Sequence, residues 1–315
     1  MNILRRIIRW LRGRGNTEAQ QTTSYSVQAE DASPTTEANH INCYQSVCSS
    51  TTDSSRTCVV QNPNNFRAEA IMRICRERGV EELLHFTSID NLGTIVKYGL
   101  LSRDDLERMK IKYEYNDKKR LEGMRNAISL SVSFPNYKMF FKCRNYDEDG
   151  NPKERTFVVI SISKSILWEL SCIFCPTNAA QRDIRMLLGD PQSRAILSEP
   201  EAFEDMFSEK FHRKETGGYV GIPQRLQYFL HERSLEESRI DEYSQRANLG
   251  IPPHYTTDPQ AEVLCLESIP NKYIRKIYVE NEDAKLDLVS QYPNLPVAIE
   301  VKKEFFERRV DYRHW

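Results

Sequence analysis

The chain has 315 residues, of which 39% are hydrophobic and 28% are charged, a composition typical of a soluble globular protein with polar tails. Its 44 Lys and Arg residues against 45 Asp and Glu residues give a net charge of −1, which excludes a histone-like polycation. No run approaches the roughly 18 apolar residues that span a bilayer, so we expect no transmembrane segment.

The eight cysteines are too sparse for a disulfide scaffold in a chain of this length. Cys172 and Cys175 form one CxxC pair, but no second Cys/His pair lies at the spacing of a zinc site. We therefore expect ordinary thiols in a reducing compartment, a cytoplasmic protein, and no metal site.

The first 65 residues read as a leader and a linker. Apolar and arginine side chains alternate at helical spacing over residues 2–14, which predicts a short basic amphipathic helix. Such a helix either contacts an anionic membrane surface or nucleic acid, or is a poorly ordered leader. Residues 15–65 are too polar to bury a core, so we predict a disordered linker and a folded domain over 66–315.

The predicted domain mixes short helices with short strands. A helix over 66–79 precedes a strand at Leu83–Phe86, and a second helix ends at Gly99. Further strands are predicted at 127–134, 157–163, 261–266, 276–280 and 298–302, and a charged helical region at 180–249. Because the strands do not alternate regularly with helices, the fold class is α+β.

The common nucleotide and hydrolase motifs are missing from the sequence: it has no GxxxxGK[ST], GxGxxG, HExxH or GxSxG. Polar residues near strand ends remain. Glu262 either faces solvent or acts as a carboxylate that stabilises a cation or accepts a proton. His85 and Thr87 share one strand face, as a substrate-binding pair or as hydrogen-bonded core residues.

The segments LLHFTSIDNLGTIVKYGLLS, NAISLSVSFPNYKMFF and TDPQAEVLCLESIPNKYI follow one another over about residues 83–275. Together they resemble the DarT family of DNA ADP-ribosyltransferase toxins, which belong to DarTG toxin–antitoxin systems. The resemblance implies an ADP-ribosyltransferase fold whose two small sheets form a cleft for NAD, with helical insertions. NAD would be consumed as a co-substrate, and no redox cofactor is implied.

The resemblance also assigns site residues. Glu262 aligns with the catalytic glutamate, and Arg120 corresponds best to the essential arginine, with Arg125 as the competing choice. Arg120 is expected to hold the NAD phosphates. The other residues that the resemblance places at NAD are His85, Phe86, Thr87, Asn91, Thr94 and Ser102.

The implied acceptor is a base in single-stranded DNA, because a single strand presents its bases unstacked. The PNYKMF sequence and the long insert before Glu262 favour guanine over thymine. His254 and Tyr255 either stack on the target base or pack the loop, and residues 135–144 either bind the strand or form an aromatic cluster. The resemblance further implies a macrodomain antitoxin as partner and a defence role against phage. The alternatives are an RNA or protein ADP-ribosyltransferase, or a catalytically inert module that binds NAD or nucleic acid.

Overall fold

The most apolar run of the sequence forms a central strand. β3 (Phe157–Ser163) is buried up to its last residue and pairs in antiparallel register with β1 (Glu82–Ser88) and β8 (Ile274–Val279). Its apolar side chains alternate between two clusters: Val158, Ile160 and Ile162 lie on one face, and Phe157 and Val159 lie on the other. A strand buried on both faces explains why its first four residues are all apolar.

The structure, a computed structural model, describes residues 63–115, 123–147, 151–153, 155–211 and 244–315. The predicted leader helix and nearly all of the linker lie outside these residues, as do Arg120 and most of the predicted helical region beyond residue 211.

A seven-stranded sheet organises the described residues, with strand order β4-β7-β2-β1-β3-β8-β9. All neighbours are antiparallel except β8 and β9, which are parallel. The remaining strands of this sheet are β2 (Ile128–Val132), β4 (Cys172–Cys175), β7 (Glu262–Cys265) and β9 (Ala298–Val301). β5 (Lys210–Phe211) and β6 (Ser244–Gln245) form a separate two-stranded ladder.

Helices cover both faces of the sheet. They are α1 (Pro63–Arg78), α2 (Leu92–Tyr98), α3 (Arg103–Arg108), α4 (Tyr137–Asn145), α5 (Ile166–Glu169), α6 (Arg182–Gly189), α7 (Pro191–Ile196), α8 (Pro200–Asp205) and α9 (Glu282–Gln291). On one face, α1, α2, α5, α8 and α9 contribute to the largest apolar cluster. On the other face, α6 packs over the β4–β7 half of the sheet, and α4 packs in an aromatic cluster over the β1–β3 half.

The α+β class and the predicted strands are confirmed, with boundaries that differ by two residues or fewer. The two expected sheets are hydrogen-bonded into one, through a short contact between β1 and β2. β4 and α9 were not predicted, and the aromatic segment after residue 136 is the helix α4. No helix within the described ranges is long and apolar enough to cross a membrane.

We expect Gly99→Ala to destabilise the protein by about 2–3 kcal/mol, because the new side chain would strain the backbone and would also collide with a neighbouring carbonyl group. Gly99 has φ +85, and an added Cβ would lie 2.2 Å from the carbonyl oxygen of Ile269, which accepts the Leu100 N–H bond. Urea denaturation measures the loss. Gly189→Ala is the matched control, since nothing lies within 4 Å of its added Cβ; equal stability of the two variants would contradict the expectation.

Candidate active site

A cleft opens where β1 and β2 stop pairing. The two strands share only the pairs Leu83–Val132 and Leu84–Ser131, whereas β1 stays paired with β3 along its whole length. Beyond the last shared pair, His85 Nδ1 lies 3.1 Å from the carbonyl oxygen of Ser129 on β2. A carbonyl only accepts hydrogen bonds, so this contact places a proton on Nδ1 and fixes the orientation of the imidazole ring.

Six of the residues that the resemblance assigns line one cavity of about 220 Å³ at this opening. They come from β1, from the turn that follows it, from α2 and from β7, and they are His85, Phe86, Thr87, Asn91, Thr94 and Glu262. Thr87 is buried, and the other five are partly buried. The fold therefore brings together residues that lie up to 177 positions apart in the chain.

Glu262 is the first residue of β7 and is half-buried rather than solvent-facing. Its backbone pairs with Cys175 on β4, and the next residue, Val263, pairs with Leu130 on β2. A strand paired on both edges holds this carboxylate more rigidly than a loop does, as a reacting group requires.

Two buried arginines hold the loop that leads to Glu262. Arg309 forms a two-pronged ion pair with Asp311, with both N–O distances 2.6 Å, and donates to the carbonyl oxygens of Thr256 (2.9 Å) and Thr257 (3.0 Å). Arg246 donates to the Thr257 hydroxyl at 2.9 Å. Both guanidinium groups thus replace the hydrogen bonds that water would give an exposed loop.

The other contacts of Arg246 extend along the same loop. Its Nη2 donates to the carbonyl oxygens of Tyr255 (2.6 Å), Pro253 (3.3 Å) and Pro252. Asp258, also buried, accepts from the backbone N–H of Gln260 at 2.7 Å, and burial raises its pKa. The polar groups of the loop are therefore hydrogen-bonded within the protein, and these bonds restrict the movement of Glu262.

Asn91 uses both ends of its amide for structure. Its Nδ2 donates to the carbonyl oxygen of Glu114 at 2.8 Å, and its Oδ1 accepts from the Glu114 N–H at 2.8 Å. The same Nδ2 also donates to Thr87 Oγ1 at 3.0 Å. Asn91 therefore ties the 113–115 segment to β1, which makes it a positioning residue of the cleft wall.

That segment supplies cleft residues that the sequence did not predict. Tyr113, Glu114 and Tyr115 line the cavity, and the two tyrosine rings meet edge to face with centroids 4.8 Å apart. Burial raises the pKa of Tyr113. Arg103 also lines the cavity, with its guanidinium 5.4 Å from the Tyr115 ring centroid. The sequence SRDD at 102–105 indicates the start of a helix, and Arg103 is the first residue of that helix, α3.

Ser102 does not line the cavity. It is buried and caps α3, with its hydroxyl accepting from the Asp105 N–H at 3.1 Å. Its own N–H donates to Ser268 Oγ at 2.9 Å. Its contacts are therefore those of a helix cap, and its assignment to NAD stays a prediction.

Of the two candidate arginines, the structure describes only Arg125. This side chain is about half exposed, forms ion pairs with Asp104 at 3.1 Å and with Glu107, and does not line the cavity. Arg120 lies outside the described residues. Within the described part of the chain, Arg103 is the arginine that lines the cleft.

The two proposed base-stacking residues, His254 and Tyr255, are partly buried, and their ring centroids lie 4.5 Å apart. Tyr255 lies against Phe134 with ring centroids 5.2 Å apart, and Phe140 of α4 stacks on Phe86 at 4.8 Å. The aromatic-cluster interpretation of residues 135–144 therefore accounts for Phe140, while Phe141 is 55% exposed. Among the described residues, no group of His, Cys, Asp and Glu could hold a metal ion.

Residues 84–196 match the model of a family described as ssDNA thymidine ADP-ribosyltransferase, DarT. Over this segment the chain is similar to the DarT family. The match covers β1 to α7, so it includes the opening of the cleft, and it agrees with the resemblance carried by the first two of the three sequence segments.

Solved DarT structures are similar to the chain at low identity. Thermosipho africanus DarTG in complex with ADP-ribose has 16% identity over 72% of this chain, with a TM-score of 0.40, and this chain spans about half (51%) of it. Thermus sp. 2.9 DarT in complex with NAD+ has 14% identity over 72% of this chain and 98% of its own, with a TM-score of 0.38. The same Thermus protein with ADP-ribosylated ssDNA has 14% identity, coverages of 73% and 97%, and a TM-score of 0.42. None of the curated proteins matches the sequence.

We expect Arg309→Met to destabilise the protein by about 3–5 kcal/mol, because it leaves the Asp311 carboxylate buried without its cation. Urea denaturation measures the change. Arg73→Ala is the control: it removes an exposed ion pair with Glu77 and should cost less than about 1 kcal/mol. The expectation fails if both variants unfold at the same urea concentration.

Proposed function

We propose that this chain transfers ADP-ribose from NAD to a base in single-stranded DNA and releases nicotinamide. The observation that carries the proposal is the position of Glu262. It lies 66 residues beyond the segment that matches the family, yet it lines the same cleft as His85 and Thr87 of β1. An acidic side chain at that place suits a reaction that develops positive charge.

The chemistry assigned to Glu262 is as follows. The bond between C1′ of the ribose and the nicotinamide nitrogen breaks, and its electron pair leaves with nicotinamide. A base nitrogen then bonds to C1′ and loses a proton. The Glu262 carboxylate stabilises the cationic C1′ centre, orients the ribose hydroxyls and accepts the proton.

The other wall of the cleft holds the donor. His85, Phe86 and Thr87 on β1 line the nicotinamide-nucleoside part, with Thr94 of α2 beside them and Asn91 fixing the neighbouring segment. Phe86 is backed by the Phe140 ring, so its position does not depend on bound substrate.

An arginine is expected to bind the NAD diphosphate, because a forked guanidinium matches phosphate oxygens. Arg120 keeps this assignment from the family resemblance. Arg103 is a second candidate, since it lines the cleft and its ring contact with Tyr115 orients the guanidinium. Arg125 is bound to Asp104 and Glu107 outside the cleft, which argues against it.

The acceptor base is proposed to be guanine, on the PNYKMF segment and the insert before Glu262. The description of the matched family names thymidine instead. Fragmentation of the modified oligonucleotide distinguishes the two bases, because each yields a different ADP-ribosylated nucleoside.

We also propose that the chain acts as the toxin of a toxin–antitoxin pair, with a macrodomain partner that removes ADP-ribose and a role in defence against phage. The support is the family match and the similarity to a DarTG chain. Growth arrest by the wild type, with no arrest by a Glu262 variant, is the outcome expected in cells.

Glu262→Gln should lower the rate of transfer to single-stranded oligonucleotides by about 100-fold or more, because the amide cannot offset a developing cation. Mass spectrometry of mixed-sequence oligonucleotides incubated with NAD measures the product, and nicotinamide release measures the first half of the reaction. The matched control is Glu267→Gln, on the turn just after β7, whose carboxylate accepts the Ser171 N–H outside the cleft.

The outcomes separate the candidate functions. If the wild type releases nicotinamide but leaves DNA unmodified, the acceptor is RNA or protein. If it releases no nicotinamide with any acceptor, the inert binding module replaces the enzyme. If Glu262→Gln equals the wild type, the assigned role of this glutamate is wrong.

Arg103→Ala should raise the KM for NAD by about tenfold, the loss expected for one hydrogen-bonded charge on a phosphate. Arg125→Ala should change it by less than about twofold, because its ion pairs are exposed. Nicotinamide release against NAD concentration measures both. The reverse order of the two effects would exchange the assignments of Arg103 and Arg125.

A further inference from the structure

Residues 308–315 alternate between anchored and exposed side chains. Arg309 and Asp311 are buried and paired with each other, while Arg308, Val310 and Arg313 point outward, with Val310 70% exposed. The buried pair therefore fixes the backbone of this segment. As a result, the exposed Arg308 and Arg313 side chains extend from an ordered backbone.

The two exposed arginines flank one aromatic ring. The guanidinium of Arg308 lies 5.2 Å from the Tyr312 ring centroid and that of Arg313 lies 5.9 Å from it. Hydrogen bonding from Arg313 lowers the pKa of the Tyr312 hydroxyl. Asp311 is the one acid in 308–315, and it is buried against Arg309, so the exposed charge of this segment is positive. We name Arg308, Tyr312 and Arg313 the tail platform.

The tail platform is joined to the active-site cleft by packing. Tyr312 belongs to the aromatic cluster that contains Phe86 and Met139, and both of these line the cleft. From the other side, Lys138 Nζ donates to the carbonyl oxygen of Trp315 at 3.2 Å. Arg309, between the platform residues, also holds the loop that leads to Glu262.

We propose that the tail platform binds the single-stranded DNA whose base enters the cleft, an inference that rests on the proposed function. Guanidinium groups match the phosphates of the strand, and planar Arg and Tyr surfaces stack with unpaired bases of any sequence. The platform thus acts as an acceptor-binding surface separate from the wall that holds NAD.

The test uses the full chain and a fluorescent single-stranded oligonucleotide. Arg308→Ala/Arg313→Ala should weaken binding and raise the KM for DNA by about tenfold, with the loss in KM rather than in kcat. The salt dependence of binding should fall by about 1.4 in log–log slope, since each phosphate contact on a single strand contributes about 0.7. Arg308→Lys/Arg313→Lys keeps the charge and should restore most of the slope.

The matched control is Arg73→Ala/Arg76→Ala, which removes two exposed arginines from α1 on the opposite face of the sheet. Equal binding by both double-alanine variants overturns the platform, as does wild-type preference for RNA over DNA of the same sequence. If the platform variant loses DNA binding but the wild type transfers no ADP-ribose, the platform stands and the proposed reaction fails. If the wild type modifies DNA and the platform variant does so with unchanged KM, the reaction stands and the platform fails.

Discussion

The short pairing between β1 and β2 is the constraint on which the candidate site depends. Two residue pairs join the halves of the sheet, and past Leu84 the strands separate while each keeps its outer neighbour. β3 supports β1 along its whole length, and β7 supports β2 and places Glu262 at the opening. A longer β1–β2 ladder would close the space where His85 now meets Ser129.

The buried arginines hold the irregular loop that leads to the Glu262 carboxylate. Backbone carbonyls in such a loop need donors, and water in their place would leave the loop mobile. Arg309 supplies donors while its charge is matched by Asp311, and Arg246 supplies donors to the adjacent carbonyls. Burying these charges is unfavourable alone, so the arrangement is better explained by positioning than by stability.

Local patterns predicted the parts of the fold whose environment is simple. The run at 157–163 is buried on both faces and the alternation after residue 127 follows a half-buried strand, so both were identified. The four residues of β4 were too few to show a period. Its two cysteines were considered as a CxxC metal-binding pair and not as residues of a strand. α4 was missed because Tyr137, Phe140 and Cys143 are buried at helical spacing, while the intervening Phe141 is exposed and hides the pattern.

The site shows the same division. His85, Thr87 and Glu262 were predicted from their places near strand ends and from the family resemblance, and the structure brings all three to one cleft. Arg309 was not found, because ERRVDYRHW looks like a solvated charged segment and its burial arises from contacts with a loop more than 50 residues away. The wall formed by residues 113–115 depends on the side chain of Asn91, which local sequence does not reveal.

A crystal structure of the chain with a non-hydrolysable NAD analogue tests the central claim most directly. We expect the nicotinamide ribose in the cleft between β1 and β7, with a ribose hydroxyl about 2.6–3.2 Å from the Glu262 carboxylate. An analogue bound elsewhere, or a Glu262 side chain turned away from the ribose, would contradict it.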